Sequence, residues 1–291
     1  MKNLDEKYMR MCFTLAKKGK NRVRPNPMVG CVVLNKDGKV VSKGYHKKYG
    51  ENHAERDALL KLKNNEACGG TLYVNLEPCS HYGKTPPCAD LIIERGLKKV
   101  VIAMRDVNPI VAGNGVKKLQ NAGVEVVEGV LEKEAKVLNE IFIKNMLEQK
   151  IFVALKSATT LDGKIATKTG SSKWITSTLA REKVMELRKS YDCVLTTSST
   201  VLIDNPKFDC KTKILLDREL KCDPSMQYFK TGKIYVVTSK TDLSNASKNI
   251  EYINISEENN KLNLGELFEK LYDLGLRSVF VEAGGMLNGQ L

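Results

Sequence analysis

The sequence predicts an α/β protein built from two domains, and three observations lead to that prediction. Segments with helical and with strand-like patterns of apolar residues alternate along the whole chain, which is typical of sheets covered by helices. A chain of 291 residues is long enough for two compact domains, each with its own core. A charged and polar junction, residues 148–150, separates two such alternating series. We therefore expect one domain over residues 1–147 and a second over residues 148–291.

The first domain is predicted to begin with a helix over residues 4–18 and a hairpin in which Asp37-Gly38 is the turn signal. A second helix, which runs to residue 63, would hold His53 and Glu55 in its first turn. Thr85 is the predicted N-cap of a third helix, which ends near Gly96. The other predicted segments are strands at 29–34, 40–45, 71–76 and 99–104, a helix–strand unit at 116–127, and a helix at 132–147.

The second domain alternates in the same way, although it lacks the G-x-G-x-x-G fingerprint of dinucleotide-binding domains. Gly284-Gly285 follows its last predicted strand, and the missing side chains would let a phosphate approach the backbone closely. Such a pair is as often a plain turn. The predicted strands of this domain lie at 151–156, 193–196, 214–217, 233–237 and 278–281.

A metal-binding pattern lies in the first domain, where His53-Ala54-Glu55 is followed by Pro78-Cys79 and then by Cys88. Catalytic zinc sites keep three protein ligands and leave a fourth position to water, whose pKa falls toward ~7. We predict His53, Cys79 and Cys88 as ligands, which leaves the carboxylate of Glu55 to carry protons between the water and a leaving amine. This pattern is typical of zinc-dependent deaminases of amino-substituted heterocycles. The alternative is a structural zinc knuckle or two unrelated buried cysteines, and the spare carboxylate and missing fourth ligand argue against it.

The spacing of the two cysteines narrows the class of deaminase. Deaminases of nucleosides and nucleic acids carry two residues between the cysteines, whereas here the eight residues 80–87 separate them. This polar, partly basic loop could close over an anionic group, and Lys84 is its candidate substrate contact. Residues 24–30 are predicted to form a second rigid substrate loop, with Asn26 as the candidate contact.

The segments Leu76-Glu77-Pro78-Cys79-Ser80-His81 and Gly83-Lys84-Thr85-Pro86-Pro87-Cys88 closely resemble the bifunctional deaminase/reductase family of riboflavin biosynthesis. The resemblance continues through residues 161–166, 174–177, 204–206 and 281–285, and so covers essentially the whole chain. It implies a cytidine-deaminase-like zinc domain that deaminates 2,5-diamino-6-(phosphoribosylamino)pyrimidin-4-one. It further implies a dihydrofolate-reductase-like domain that reduces the ribosyl side chain to ribityl with NADPH.

The resemblance also implies site residues in the second domain. Arg188 and Lys211 would be phosphate partners, although a helix-surface arginine and a loop lysine are the plainer interpretation. For Trp174 a place in the core is the equal alternative. The implied NADPH contacts are Ala158, Trp174, Thr200, Asp204, Gly284, Gly285, Met286, Leu287, Asn288, Gly289 and Gln290. The implied substrate contacts are Lys156, Ser172, Arg188, Phe208, Lys211 and Glu282.

The net charge of +13 leaves an RNA-binding editing protein as an alternative function from a different class. The lysines are spread along the chain, and few aromatic residues lie among them to stack on unpaired bases. We therefore expect a phosphorylated small-molecule substrate and no nucleic-acid partner. The eight cysteines form no disulfide framework, and no secretory signal or membrane-length apolar segment is present, which favours a cytoplasmic protein without a membrane partner.

The end of the chain raises a further expectation, because Leu291 follows Gly284-Gly285 closely whereas the family's reductase domain continues for several strands. We expect a reductase domain that is incomplete at its C-terminus and binds NADPH weakly, and a homo-oligomer only where that domain is complete. A zinc nucleotide deaminase with an inactive second half is the other alternative function. His46 and His81 have no role assigned from sequence.

Overall fold

The computed structural model describes residues 2–63, 65–83, 85–109, 112–172, 174–241 and 248–291. The chain divides into two compact units, Met1–Glu148 and Gln149–Leu291, and each unit has its own β-sheet and hydrophobic core. Among the helices of the described residues, none combines the length and the apolar character that a membrane crossing requires.

The first unit is a five-stranded sheet with helices packed against it. The strand order is β2-β1-β3-β4-β5, with β1 antiparallel to both of its neighbours and β3, β4 and β5 parallel. Its elements are α1 (Lys2–Ala16), β1 (Gly30–Leu34), β2 (Val40–Tyr45), α2 (Ala54–Leu59), β3 (Thr71–Val74), α3 (Cys88–Glu94), β4 (Lys99–Ile102), α4 (Asn114–Asn121), β5 (Glu125–Val127), α5 (Glu132–Leu138) and α6 (Glu140–Glu148).

The second unit is built on a six-stranded sheet that is parallel throughout, with the order β10-β9-β8-β7-β13-β6. Successive residues of β8 serve opposite faces, since Ile214 and Leu216 join one core cluster and Leu215 joins the other. The elements are β6 (Phe152–Lys156), α7 (Thr178–Ser190), β7 (Cys193–Thr197), α8 (Ser198–Asp204), β8 (Thr212–Leu216), β9 (Lys233–Thr238), β10 (Ile250–Asn254), β11 (Glu257–Glu258), β12 (Lys261–Leu262), α9 (Leu264–Asp273), β13 (Ser278–Glu282) and α10 (Gly285–Asn288).

Several predicted boundaries were wrong. The single helix expected over 132–147 is two helices, because the side-chain amide of Asn139 turns to Met28, accepting from its N–H at 2.8 Å and donating to its carbonyl at 3.1 Å. Helix α2 ends at Leu59 rather than residue 63. The N-cap of α3 is Pro87 rather than the predicted Thr85, and the helix begins at Cys88. Strand β10 was missed.

Close backbone contact between β2 and α2 holds the helix that follows His53. A Cβ added at Gly44 would lie 2.3 Å from the carbonyl oxygen of Ala54 and 2.5 Å from the backbone nitrogen of Ala58. Only glycine allows this approach, because any side chain would meet backbone that has no room to move. The first turn of α2 therefore lies directly on the sheet.

We expect Gly44→Ala to lower the free energy of unfolding by about 1–3 kcal/mol, because the methyl group overpacks the contact between β2 and α2. The measurement is calorimetric unfolding of the full chain. Gly83→Ala is the control, since its added Cβ would have no heavy atom nearer than 3.8 Å. Equal transitions for the two variants would contradict this account of the contact.

Candidate metal centre and active-site pocket

Three ligand-type side chains meet in the first unit, each supplied by a different segment. His53 is the N-cap residue of α2, one position before the helix rather than inside its first turn, and Cys88 is the first residue of α3. Cys79 lies in the loop that follows β3. His53 Nδ1 lies 3.5 Å from Cys79 Sγ and 3.6 Å from Cys88 Sγ, and all three ligand atoms lie within 4.8 Å of one another.

These separations fit a zinc ion. Zinc–nitrogen and zinc–sulfur bonds of about 2.0 and 2.3 Å at tetrahedral angles place the nitrogen and sulfur atoms roughly 3.6 Å apart. The donor set of one imidazole and two thiolates also suits zinc in preference to calcium or magnesium, which take oxygen ligands. Three protein ligands leave one position of a tetrahedron for water or substrate.

The electrostatics of the three side chains favour a thiolate even before a metal binds. A hydrogen bond from the Cys88 thiol lowers the pKa of Cys79 to about 4, and the His53 ring and the backbone N–H of Cys88 act in the same direction. The same shared hydrogen bond, together with burial, raises the pKa of Cys88. A metal ligand must be the deprotonated thiolate, so zinc binding would release the Cys88 proton.

Glu55 is a buried carboxyl group beside these ligands. It lies in the first turn of α2 and only 3% of it is exposed. Burial raises the pKa of Glu55 to about 7, because a desolvated carboxylate is disfavoured relative to the neutral acid. A carboxyl group of this kind can hold or release a proton near neutral pH, which general acid–base catalysis requires.

His53, Glu55 and Cys79 line a cavity of about 270 Å³ in the first unit. Its polar wall also contains the predicted substrate residue Asn26 and the two histidines that sequence left without a role. Lys84, the other predicted contact in this domain, lies outside the described residues. The additional polar lining residues are His46, Tyr49, Glu51, Glu77, His81, Thr85, Asp106 and Asn108.

His46 is part of this wall, and its hydrogen bonds define its protonation. Its Nε2 lies 3.2 Å from the side-chain nitrogen of Asn26, a donor, and its Nδ1 lies 3.0 Å from the carbonyl oxygen of Asn52. These partners suit a neutral ring that donates from Nδ1 and accepts at Nε2. Burial lowers the pKa of His46, which favours the same neutral form.

Sequence reasoning missed Asp106 and Asn108, which follow strand β4 and line the cavity. Burial raises the pKa of Asp106 to about 6. The available signal was their position: polar residues directly after a buried strand often lie at the carboxyl edge of a parallel sheet, where ligands bind.

In the second unit, four of the expected substrate residues form one cluster. Glu282 ends β13 and Lys156 ends the neighbouring strand β6, and the two are register partners with Lys156 Nζ 3.8 Å from Glu282 Oε2. Arg188, in the last turn of α7, forms a two-pronged ion pair with Glu282, with Nη2 2.9 Å from Oε2. The guanidinium of Arg188 also lies over the ring of the buried Phe208, 4.5 Å from its centroid.

The remaining expected residues of this unit are more exposed. Trp174 is 73% exposed, so the alternative of a core tryptophan was wrong, and the guanidinium of Arg181 lies over its ring at 4.2 Å from the centroid. Ser172, Asp204 and Lys211 are exposed, whereas Ala158 and Thr200 are half-buried. The expected cofactor loop 284–290 follows β13 and includes α10.

Comparisons with known proteins agree with both units. A sequence profile described as the cytidine and deoxycytidylate deaminase zinc-binding region matches residues 2–104, and one described as the RibD C-terminal domain matches residues 151–291. The riboflavin biosynthesis protein RibD of Aquifex aeolicus is 42% identical over 98% of this chain and 82% of its own length. The chain belongs to the RibD family.

Other RibD proteins support the same assignment. RibD of Actinobacillus pleuropneumoniae is 41% identical over 99% of this chain and 79% of its own length. A crystal structure of a diaminohydroxyphosphoribosylaminopyrimidine deaminase/5-amino-6-(5-phosphoribosylamino)uracil reductase from Thermotoga maritima superimposes with a TM-score of 0.87. The two sequences are 43% identical, and the superposition covers 98% of this chain and 82% of the Thermotoga maritima chain.

As a RibD protein, the chain is a bifunctional enzyme of riboflavin biosynthesis, with a zinc-dependent deaminase domain and an NADPH-dependent reductase domain. A lone nucleotide deaminase and an RNA-editing protein are not favoured, since RibD proteins match both halves of the chain. The RibD C-terminal profile extends to residue 291, so the expected incompleteness of the reductase domain is not supported.

We expect Cys88→Ser to lose most of its zinc, because an alcohol is a poor ligand where a thiolate is needed. Zinc per chain, measured by atomic emission on purified protein, checks the prediction. Cys68→Ser is the matched control, since Cys68 is an exposed free cysteine of the same unit. A Cys88→Ser protein that keeps one zinc per chain would exclude Cys88 as a ligand.

Proposed function

We propose that the first unit hydrolyses the amino group from 2,5-diamino-6-(phosphoribosylamino)pyrimidin-4-one, replacing a ring C–NH2 with C=O and releasing ammonia. The second unit then reduces the ribosyl side chain of the product to ribityl with NADPH. The observation that carries the proposal is the meeting of His53, Cys79 and Cys88 with the buried Glu55 in one cavity. The RibD relatives support the choice of substrate.

In the first reaction His53, Cys79 and Cys88 would hold the zinc ion. When bound, zinc acidifies water and so makes a nucleophile available at neutral pH. Glu55 takes the proton from that water on its carboxylate and delivers it to the departing amino nitrogen. Only 3% of Glu55 is exposed, which limits the access of other water molecules to the proton that it carries.

Polar side chains of the cavity wall would orient the pyrimidine. Asn26, Asp106 and Asn108 offer both donors and acceptors to the polar edges of the ring. His46 holds the side chain of Asn26 in place through its Nε2. Lys84, with a positive charge in the loop between the two cysteines, is proposed as a partner for the substrate phosphate.

We expect Glu55→Gln to keep its zinc while deamination falls about 100-fold to 10,000-fold, because general acid–base catalysis contributes factors of that size. Ammonia release from the phosphoribosylaminopyrimidine and zinc content are measured on the same preparation. The reductase reaction of the same chain controls for folding. A Glu55→Gln protein that deaminates at the normal rate would show that another group carries the proton.

For the second reaction we propose that NADPH supplies the hydride and that the cluster around Glu282 receives the sugar. Lys156 and Glu282 end adjacent parallel strands, where ligands of open α/β sheets bind. Lys156 would contact the ribose, and the paired Arg188 and exposed Lys211 give the positive charge that a phosphate needs. The other proposed substrate contacts are Ser172 and Phe208.

We also propose a dihydrofolate-reductase-like fold for this domain, whose expected start at residue 148 lies one residue before the start of the second compact unit. The proposed NADPH contacts are Ala158, Trp174, Thr200, Asp204 and residues 284–290. The bacterial relatives favour a cytoplasmic location. The phosphorylated pyrimidine, rather than nucleic acid, is the partner that this set of side chains suits.

We expect Trp174→Ala to weaken NADPH binding about tenfold, because stacking of the exposed indole on a flat ring contributes about 1 kcal/mol beyond buried area. Calorimetric titration with NADPH measures the affinity. Trp174 is the only tryptophan of the chain, so its fluorescence in the unaltered enzyme should also be quenched saturably by NADPH. Leu179→Ala, another exposed apolar residue, is the control, and equal affinities would contradict the assignment.

A further inference from the structure

A second buried carboxylate, Glu77, lies two residues before the ligand Cys79, and only 3% of it is exposed. Its oxygens accept three backbone hydrogen bonds from a single downstream segment. Oε2 accepts from the N–H of Asp106 at 3.2 Å and of Gly113 at 3.0 Å, and Oε1 accepts from the N–H of Val116 at 3.1 Å. The carboxylate is therefore solvated by the backbone instead of by water.

Two of these donors belong to the N-terminus of α4, whose first amides have no partner within the helix. The N-cap residue is Gly113, with φ of 77°, and it has no side chain that could accept from them. Glu77 supplies the missing acceptor from 36 residues earlier in the sequence. Its negative charge also suits the positive end of the helix dipole.

The third donor connects Glu77 to the wall of the cavity. This donor is the N–H of Asp106, which binds Glu77 Oε2, and both Asp106 and Asn108 line the cavity. The backbones of the same two segments are also in close contact, at Gly115 and Pro78. A Cβ added at Gly115 would lie 2.0 Å from the carbonyl oxygen of Pro78. One carboxylate thus joins the chain segment that carries Cys79 to the segment that carries Asp106 and Asn108, which also line the cavity.

We propose that Glu77 is a positioning residue of the deaminase site, which sets the distance between the metal ligands and the substrate-binding wall formed by Asp106 and Asn108. Glu77 lines the same cavity as the ligands, and we infer that it acts through the backbone N–H groups of Asp106, Gly113 and Val116 that its carboxylate binds. This inference rests on the proposed deaminase function. It adds the element that determines how well the site binds its pyrimidine.

The chemistry of the side chain explains why a carboxylate is needed. All three partners are N–H donors, and a carboxylate has acceptor sites on both oxygens. A glutamine has one acceptor oxygen, and its NH2 group would face an N–H donor. At least one backbone amide then loses its partner in a buried place, where an unsatisfied group is costly.

The test is the variant Glu77→Gln, assayed in the full-length, zinc-loaded enzyme. We expect the KM for the phosphoribosylaminopyrimidine to rise about tenfold, while kcat changes by less than about threefold, because the wall moves and the ligands do not. Zinc should stay at one per chain and NADPH-dependent reduction should be unchanged. Hydrogen exchange should accelerate in peptides that cover residues 106–116.

The matched control is Glu128→Gln, which also replaces a carboxylate. Glu128 accepts a hydrogen bond from Nε of Arg105 at 2.5 Å, and Arg105 directly precedes Asp106 in the chain. The ion pair between Arg105 and Glu128 is exposed, and such pairs contribute little to stability. The KM of Glu128→Gln should therefore stay within about twofold of that of the unaltered enzyme. Glu77→Asp, which keeps the charge with a shorter reach, should give a KM between those of the original enzyme and Glu77→Gln.

An unchanged KM, or unchanged exchange over residues 106–116, in Glu77→Gln would overturn the proposal. Loss of zinc or of reduction in both Glu77 variants would also overturn it, since Glu77 would then serve folding in general. Failure of the underlying deaminase function has a different signature, because the unaltered enzyme itself would release no ammonia.

Discussion

The deaminase half of this protein depends on the separations of about 3.5 Å between one imidazole nitrogen and two sulfur atoms. His53 lies at the N-cap of α2 and Cys88 opens α3, so the ends of two helices hold two of the three ligands. The close approach of β2 to α2 at Gly44 keeps the first helix in place. Because the ligands come from separate segments, the zinc site exists only where the fold brings these segments together.

Two buried carboxyl groups in the same unit, Glu55 and Glu77, differ in role because the groups around them differ. Glu55 and Glu77 are equally hidden from water, yet Glu77 accepts three backbone N–H groups, whereas burial dominates at Glu55 and raises its pKa to about 7. A carboxylate with three such donors holds two segments of the chain together. A desolvated one can exchange protons near neutral pH, which suits it for chemistry.

Much of the fold could be predicted from the sequence, because alternating apolar patterns and turn residues act locally. The hairpin around Asp37-Gly38 and most strands of the two sheets follow from such signals. The predictions failed where a distant partner decides the backbone, as at Asn139, whose amide binds Met28 and divides a helix. Strand β10 was missed because its core residues, Ile250 and Ile253, lie three apart at a sheet edge and break the two-residue alternation.

By itself the sequence determined the chemical groups of the deaminase site and their family, since the residue types and spacing around His53, Glu55, Cys79 and Cys88 suit zinc and a proton carrier. It also indicated the second, reducing half. Only the tertiary structure decided that Asp106 and Asn108 line the same cavity as His53 and Glu55, that Trp174 is exposed, and that Arg188 pairs with Glu282. The physical reason is that a pattern along the chain reports only local conformation and chemistry. Hydrogen bonds between residues 29 or 94 positions apart, and the burial of side chains, arise only when the sheets are assembled.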